Sequence, residues 1–346
     1  MSATVTYKCP NCGAGLIFDA ENQNFKCEFC LSSFAEDELR AIDGAEEASV
    51  GCESEFSDEI REYHCSSCGA EVITDKSTVA DICYYCHNPI VLSERVSGVF
   101  KPSKIVPFKF NKEEAKETFL RYCKKKWFLP KDYFSPEHTD KISGVYYPFY
   151  VVDSDTTARM SATAHRVRSW RAGNYRYTET SVFAVKRGGE IHFEDITASA
   201  LSEEDKAMLE GILPYPLNEH TDFSIPYLQG YTAKKRNLSR EDLDGEIRGR
   251  MREYAETLLS DTVNGYSSIV SRNTDSTCRA EHWEYTLMPI WILTYKRKGK
   301  NYTYAMNGST GKIYGELPVS IPKLSLFAGA VAAVTWLLTF LIGGLL

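Results

Sequence analysis

Eight cysteines stand in four Cys-x-x-Cys pairs: Cys9 with Cys12, Cys27 with Cys30, Cys65 with Cys68, and Cys83 with Cys86. The first two pairs are 14 residues apart, the last two are again 14 apart, and both blocks open with Cys-x-x-Cys-Gly-Ala. Each pair closes a tight knuckle that presents two thiolates on one side, and Gly13 and Gly69 suit the turn that follows. Two facing knuckles offer a tetrahedron of sulfur, the arrangement preferred by structural Zn²⁺. With all four positions filled, no coordination site stays open for catalysis. Iron takes the same ligands, so the spacing leaves zinc and iron open. Disulfides are the reading that a reducing compartment disfavours. His64 and His87 adjoin ligand cysteines and read as neighbours of the site rather than ligands. Cys52, Cys123 and Cys278 read as small core or surface groups.

Holding these thiolates requires short hairpins between knuckles, and Phe18 with Phe25, then Val72 with Ile73, supply their strands. The spacing predicts zinc ribbons at 1–35 and 63–98. Between them, 36–62 is acidic, poor in large apolar residues and interrupted by Gly44 and Gly51, which reads as a flexible linker. Residues 1–62 hold 14 Asp or Glu against 4 Lys or Arg, a net of −10. Four thiolates on one Zn²⁺ add about −2 per site. Phosphate binding draws on cations and counterion release, so this surface weighs against nucleic acid. The chain as a whole has 346 residues, a net charge of −7, 43% apolar and 12% aromatic residues. That composition is globular and leans toward β-structure.

The body at 99–323 reads as α+β and mostly antiparallel. Asn111 and Glu114 form a capping-box signature for a helix over Glu113–Trp127, which ends in Lys124, Lys125 and Lys126. Those lysines complement the helix dipole, or meet anionic lipid or an acidic partner. Strands follow at 145–152, 175–180, 182–186 and 191–196, with Gly188-Gly189 as a two-residue hairpin turn. A short helix is expected over 202–213, and a longer one from Arg240 to about Val263, capped by Ser239 with Asp242 three residues on. Strands resume at Glu284, and Asn307-Gly308 and Thr310-Gly311 mark the last turns. Tyr147–Asp153 lines up with Met288–Thr294, a hint of two related sheet units.

No Gly-rich phosphate loop, Gly-x-Ser-x-Gly or His-Glu-x-x-His occurs, and the seven histidines are scattered, so the expectation is that the chain is not an enzyme. The basic, aromatic stretch His165–Arg171 reads as a solvated hairpin face, with nucleic-acid stacking as the sharper reading. Leu324–Leu346 is 23 residues without a charge. A helix of that length spans about 34 Å, enough to cross a bilayer. With no apolar run near Met1, the expectation is a single-pass tail anchor with the bulk of the chain cytoplasmic.

The two cysteine quartets, Tyr147-Pro148-Phe149-Tyr150, Leu213-Pro214-Tyr215-Pro216-Leu217 and Asn307-Gly308-Ser309-Thr310-Gly311-Lys312 occur in this order. In this the chain resembles the bacterial TFIIB-type zinc-ribbon membrane proteins of the YdjG type. The resemblance implies a membrane-anchored adaptor that recruits or scaffolds SPFH-domain or phage-shock-type peripheral membrane proteins under envelope stress. A tethered nucleic-acid-binding ribbon is the alternative.

Overall fold

The computed structural model describes residues 9–14, 16–27, 29–42, 60–64, 71–75, 91–95, 102–201, 206–228, 231–297 and 299–343. It is α+β, with predominantly antiparallel pairing, and divides into two compact units. Unit 1 comprises 1–148, 203–235 and 287–346; unit 2 comprises 149–202 and 236–286. The division does not follow chain order: β8 (Ser143–Ala172) and β12 (Ser268–Arg297) each contribute to both units. The similar segments Tyr147–Asp153 and Met288–Thr294 lie in these two neighbouring strands and are buried except for the half-buried Asp153.

Unit 1 starts with a three-stranded sheet of β1 (Ile17–Asp19), β2 (Asn24–Lys26) and β3 (Ser33–Phe34). Phe18 opposes Phe25 across β1 and β2, as the hairpin expectation required. Helix Glu36–Ile42 follows, with Glu36, Asp37 and Glu38 in its first turn and Leu39 buried. The segment expected to be linker therefore begins as a helix, because its acids sit where the dipole favours them and one apolar residue finds a core. Strands β4 (Ile60–His64), β5 (Glu71–Asp75) and β6 (Val91–Arg95) form a second three-stranded set around β4. The short strands β7 (Lys104–Ile105) and β10 (Thr221–Asp222) pair antiparallel, and β5 continues through β11 (Thr232–Lys234), which lies parallel to β8 at Val145 and Tyr146. β12 also carries β13 (Lys300–Asn307), and β13 carries β14 (Ile313–Gly315). The core centres on Phe108, stacked on Tyr231 at 4.2 Å and edge-on to Tyr146 at 4.9 Å.

Two features fix the unit 1 loops. The helix Lys112–Lys124 is capped by Asn111 and Glu114 in a reciprocal capping box and buries Ala115, Phe119 and Cys123. It stops three residues before the expected Trp127. Asn307 is fully buried: its carbonyl accepts from the Ser309 and Thr310 N–H groups, and its amide donates to the Ile212 and Pro214 carbonyls. One side chain thus closes the Asn307–Lys312 turn and ties it to the 212–214 loop.

In unit 2, β8 and β9 (Tyr175–Ser199) form one long hairpin that turns at Gly173, φ +61°. Gly188 and Gly189 do not make the expected turn; they pair with Arg159 and Ala158 in the middle of β9. A Cβ at Gly188 would lie 3.1 Å from the Ala158 carbonyl oxygen, so glycine here permits close strand approach rather than reversal. The three strands expected over 175–196 are therefore one. The helix Arg240–Asp261, capped by Ser239 and Asp242 as expected, buries Leu243, Ile247, Met251, Ala255 and Leu259. This i, i+4 stripe packs with Val152, Met160, Phe193 and Ile196 from the hairpin.

Candidate metal centre

Four cysteines, Cys9, Cys12, Cys27 and Cys30, meet with their sulfurs all within 4.8 Å of one another. Cys9 and Cys30 Sγ are 3.4 Å apart, and Cys12 and Cys27 Sγ are 3.5 Å apart. Tetrahedral Zn–S bonds of about 2.3 Å would set sulfurs about 3.8 Å apart, within that range. The donor set and spacing therefore fit a four-coordinate ion of Zn²⁺ size. Cys65, Cys68, Cys83 and Cys86, with His87 and Cys52, lie outside the described residues; His64 is described only as the end of β4.

The two knuckles are built alike. Cys9 N–H donates to the Ala14 carbonyl and Gly13 N–H to the Cys9 carbonyl, at 2.7 and 2.8 Å. Cys27 N–H donates to the Ser32 carbonyl and Leu31 N–H to the Cys27 carbonyl, at 2.8 and 2.9 Å. The fifth residue of each knuckle takes the left-handed conformation, φ +74° at Gly13 and +62° at Leu31. Glycine adopts it freely; leucine does so against its Cβ. Leu31 is 71% exposed and Phe29 84% exposed, so neither is held there by a core.

The sulfurs differ in surroundings. Cys9 and Cys27 are buried, Cys30 is half-buried and Cys12 exposed. The Ser32 hydroxyl and backbone N–H draw the Cys30 thiol down to about 6. Around Cys12 the Ala14 backbone bond acts the same way, but desolvation and the three neighbouring sulfurs outweigh it and push the thiol up to about 12. Four sulfurs this close do not all ionise alone, and a divalent cation supplies the compensating charge. Asn11 Nδ2 donates to Ser32 Oγ at 2.9 Å, which orients the hydroxyl beside Cys30. Asn11 and Ser32 were not singled out by spacing, although both lie inside or just beyond a knuckle.

Tyr227 packs on the three-stranded sheet that carries the cysteines. Its ring lies 4.7 Å from Phe18 and 5.2 Å from Phe25, and its hydroxyl donates to Glu36 Oε2 at 2.7 Å. Gln23 Nε2 adds a bond to the Phe108 carbonyl at 2.7 Å. No local signal points to Tyr227, which is 191 residues from Glu36. Of the other cysteines, Cys123 is buried and its thiol pushed up to about 12 by desolvation, while Cys278 contacts Ser154 Oγ at 3.2 Å.

The chain is 31% identical to YdjG of Bacillus subtilis (strain 168) over 334 residues, 96% of this chain and 96% of that protein. It belongs to the YdjG family. No family profile and no solved structure matches it. This family member also carries a helix, Ile321–Gly343, whose stretch Ile321–Phe340 is long and apolar enough to cross a membrane and has no buried residue. It begins three residues before the expected Leu324. Residues 344–346 lie outside the described part.

Proposed function

We propose that this protein is a membrane-anchored zinc-ribbon adaptor that recruits or scaffolds peripheral membrane proteins at the cytoplasmic face. The observation that carries the reading is Leu31: an exposed apolar residue in a backbone conformation that glycine would hold more cheaply. Folding gives no reason for leucine there, and docking does. Beside it, Phe29 completes an apolar knuckle tip on a rigid metal-braced platform. The all-sulfur ligand set leaves the ion no catalytic position. Ile321–Gly343 serves as a single-pass anchor, and tethering at a bilayer raises the effective concentration of weak contacts. The partner class, SPFH-domain or phage-shock-type membrane proteins, comes from the family resemblance. A second Cys₄ site at Cys65, Cys68, Cys83 and Cys86 belongs to the same reading, with zinc the ion proposed for both.

The test is cross-linking and mass spectrometry of the full chain, gently solubilised, beside Phe29→Ala with Leu31→Gly. A stoichiometric membrane-scaffold protein lost in the variant supports the adaptor; the same partners in both refute the knuckle as docking surface. A second reading, nucleic-acid binding, draws on the β8–β9 tip. There Trp170 stacks on Tyr177 at 5.7 Å and 15°, among Arg168, Arg171 and Arg176. Salt-dependent RNA or DNA binding that Trp170→Ala abolishes would establish it; none at low salt would remove it.

A further inference from the structure

We propose that Lys124–Trp127 is an anionic-lipid headgroup site at the root of the apolar helix. The inference rests on the reading of Ile321–Gly343 as a membrane span, and goes beyond the adaptor role. The chain leaving the helix Lys112–Lys124 is pinned against the start of that span at three points. Ser320 N–H donates to the Phe128 carbonyl at 2.7 Å, Lys323 Nζ to the Leu129 carbonyl at 2.6 Å, and the Phe128 ring meets Phe327 edge-on at 5.4 Å. Phe327 is six residues along the helix from Ile321, or about 9 Å up its axis. Phe128 and Leu129 are therefore held beside the first two turns of the span, and the residues 124–127 that lead into them sit at its root, near the depth of lipid headgroups.

Their chemistry matches that depth. Lys124, Lys125 and Lys126 are all exposed, and among the described residues none makes an ion pair; Lys126 rests its ammonium 5.1 Å above the Tyr122 ring. The dipole of their helix is already met by Arg121 and Lys124 in its last turn, and the effect fades beyond it, so it does not account for Lys125 and leaves Lys126 only its ring contact. Trp127 is 76% exposed with no core to enter. Tryptophan is the side chain that favours the membrane–water interface, and juxtamembrane lysines attract acidic headgroups. Glu316, close in sequence to the span, is engaged by Lys300 at 3.0 Å and does not neutralise the cluster.

The full chain is incorporated into nanodiscs of phosphatidylcholine and phosphatidylglycerol in equal amounts. Its preference for spin-labelled phosphatidylglycerol over spin-labelled phosphatidylcholine is then measured. Wild type should prefer the anionic lipid, Lys126→Gln should lower the preference about fivefold, and the Lys124→Gln, Lys125→Gln, Lys126→Gln triple variant should bring it near unity. The corresponding triple Lys→Arg variant should keep it, which separates charge from a structural effect. The preference should weaken as salt rises. A chain that incorporates but shows no preference, or a triple Gln variant that keeps the wild-type value, overturns the headgroup site alone. A chain that fails to incorporate overturns the membrane reading and the site with it.

Discussion

Leu31→Gly separates folding from docking at the metal centre. A non-glycine residue at φ +62° costs roughly 1–2 kcal/mol against its own Cβ. Glycine gives back about 0.5–1 kcal/mol of that in unfolded-chain entropy. Leu31 is 71% exposed, so its buried fraction is worth only about 0.5–1 kcal/mol of the roughly 1.5–3 of a fully buried leucine. The three contributions nearly cancel, and metal affinity and ribbon stability should stay within about 1 kcal/mol of wild type. Gly13→Leu is the mirror experiment. At φ +74° with nothing within 4 Å of its Cβ, the cost is conformational only. The left-handed backbone costs leucine about 1–2 kcal/mol, offset by the roughly 0.5–1 kcal/mol of unfolded-chain entropy that losing a glycine recovers, which leaves about 0.5–1 kcal/mol, or metal binding weaker by roughly two- to fivefold. Competition against a chromophoric chelator reads both, and cross-linking reads partner retention. Leu31→Gly should leave the first almost unchanged and cut the second by at least about tenfold, the scale of an interface anchor. A loss above about 2 kcal/mol in stability would show that Leu31 braces the ribbon, and full partner retention would show that it docks nothing.

Other perturbations probe the frame. Cys27→Ser removes a ligand with no exposed surface, so metal binding at this site should be lost and the 9–34 segment should become protease-sensitive. Chelator should do the same to wild type and add nothing to the variant. Asn307→Ala leaves two N–H groups and two carbonyls without their partner, at about 1 kcal/mol each, so unit 1 should lose about 3–5 kcal/mol, read by urea unfolding. A loss under about 1 kcal/mol would mean that water replaces all four bonds. The Asp242 carboxyl is held below its usual range by the Ser239 N–H and hydroxyl. A lowered carboxyl stabilises the fold above its unfolded pKa and loses that contribution as pH falls through its folded value. Unit 2 should therefore weaken on acidification below about pH 4, and Asp242→Asn should flatten that part of the profile; an unchanged profile would remove the cap from the account.

The clustering of the first cysteine quartet was legible because knuckle geometry is local: each knuckle is set by residues within six positions of one another. Both capped helices were legible for the same reason, since Asn111 with Glu114 and Ser239 with Asp242 carry their signals three residues apart. What escaped was long-range. Tyr227 touches Phe18 and Phe25 from far along the chain, and Asn307 bonds a carbonyl 95 residues away. The two units could not be read from composition either, because unit 2 is made of 149–202 and 236–286, with no linker to mark its edges. Gly188-Gly189 misled because the same dipeptide serves a turn and a close strand approach. Only the register of β8 against β9 tells them apart.

Three exposed groups are open to a partner, and their chemistry makes them separable in one experiment. The Phe29 and Leu31 tip is apolar and carries no cation, so a partner held there should tolerate salt. Lys124–Lys126 with Trp127 is cationic, and so is 166–182, where Arg166, Arg168, Arg171 and Arg176 outnumber Glu179 for a net of +3. Contacts at exposed charges are screened over about 8 Å at physiological ionic strength and over less as salt rises. Raising salt should thus release whatever the two basic segments hold while the knuckle keeps its partner. If salt strips every bound protein, the knuckle is not the docking surface and the basic segments carry the contacts instead.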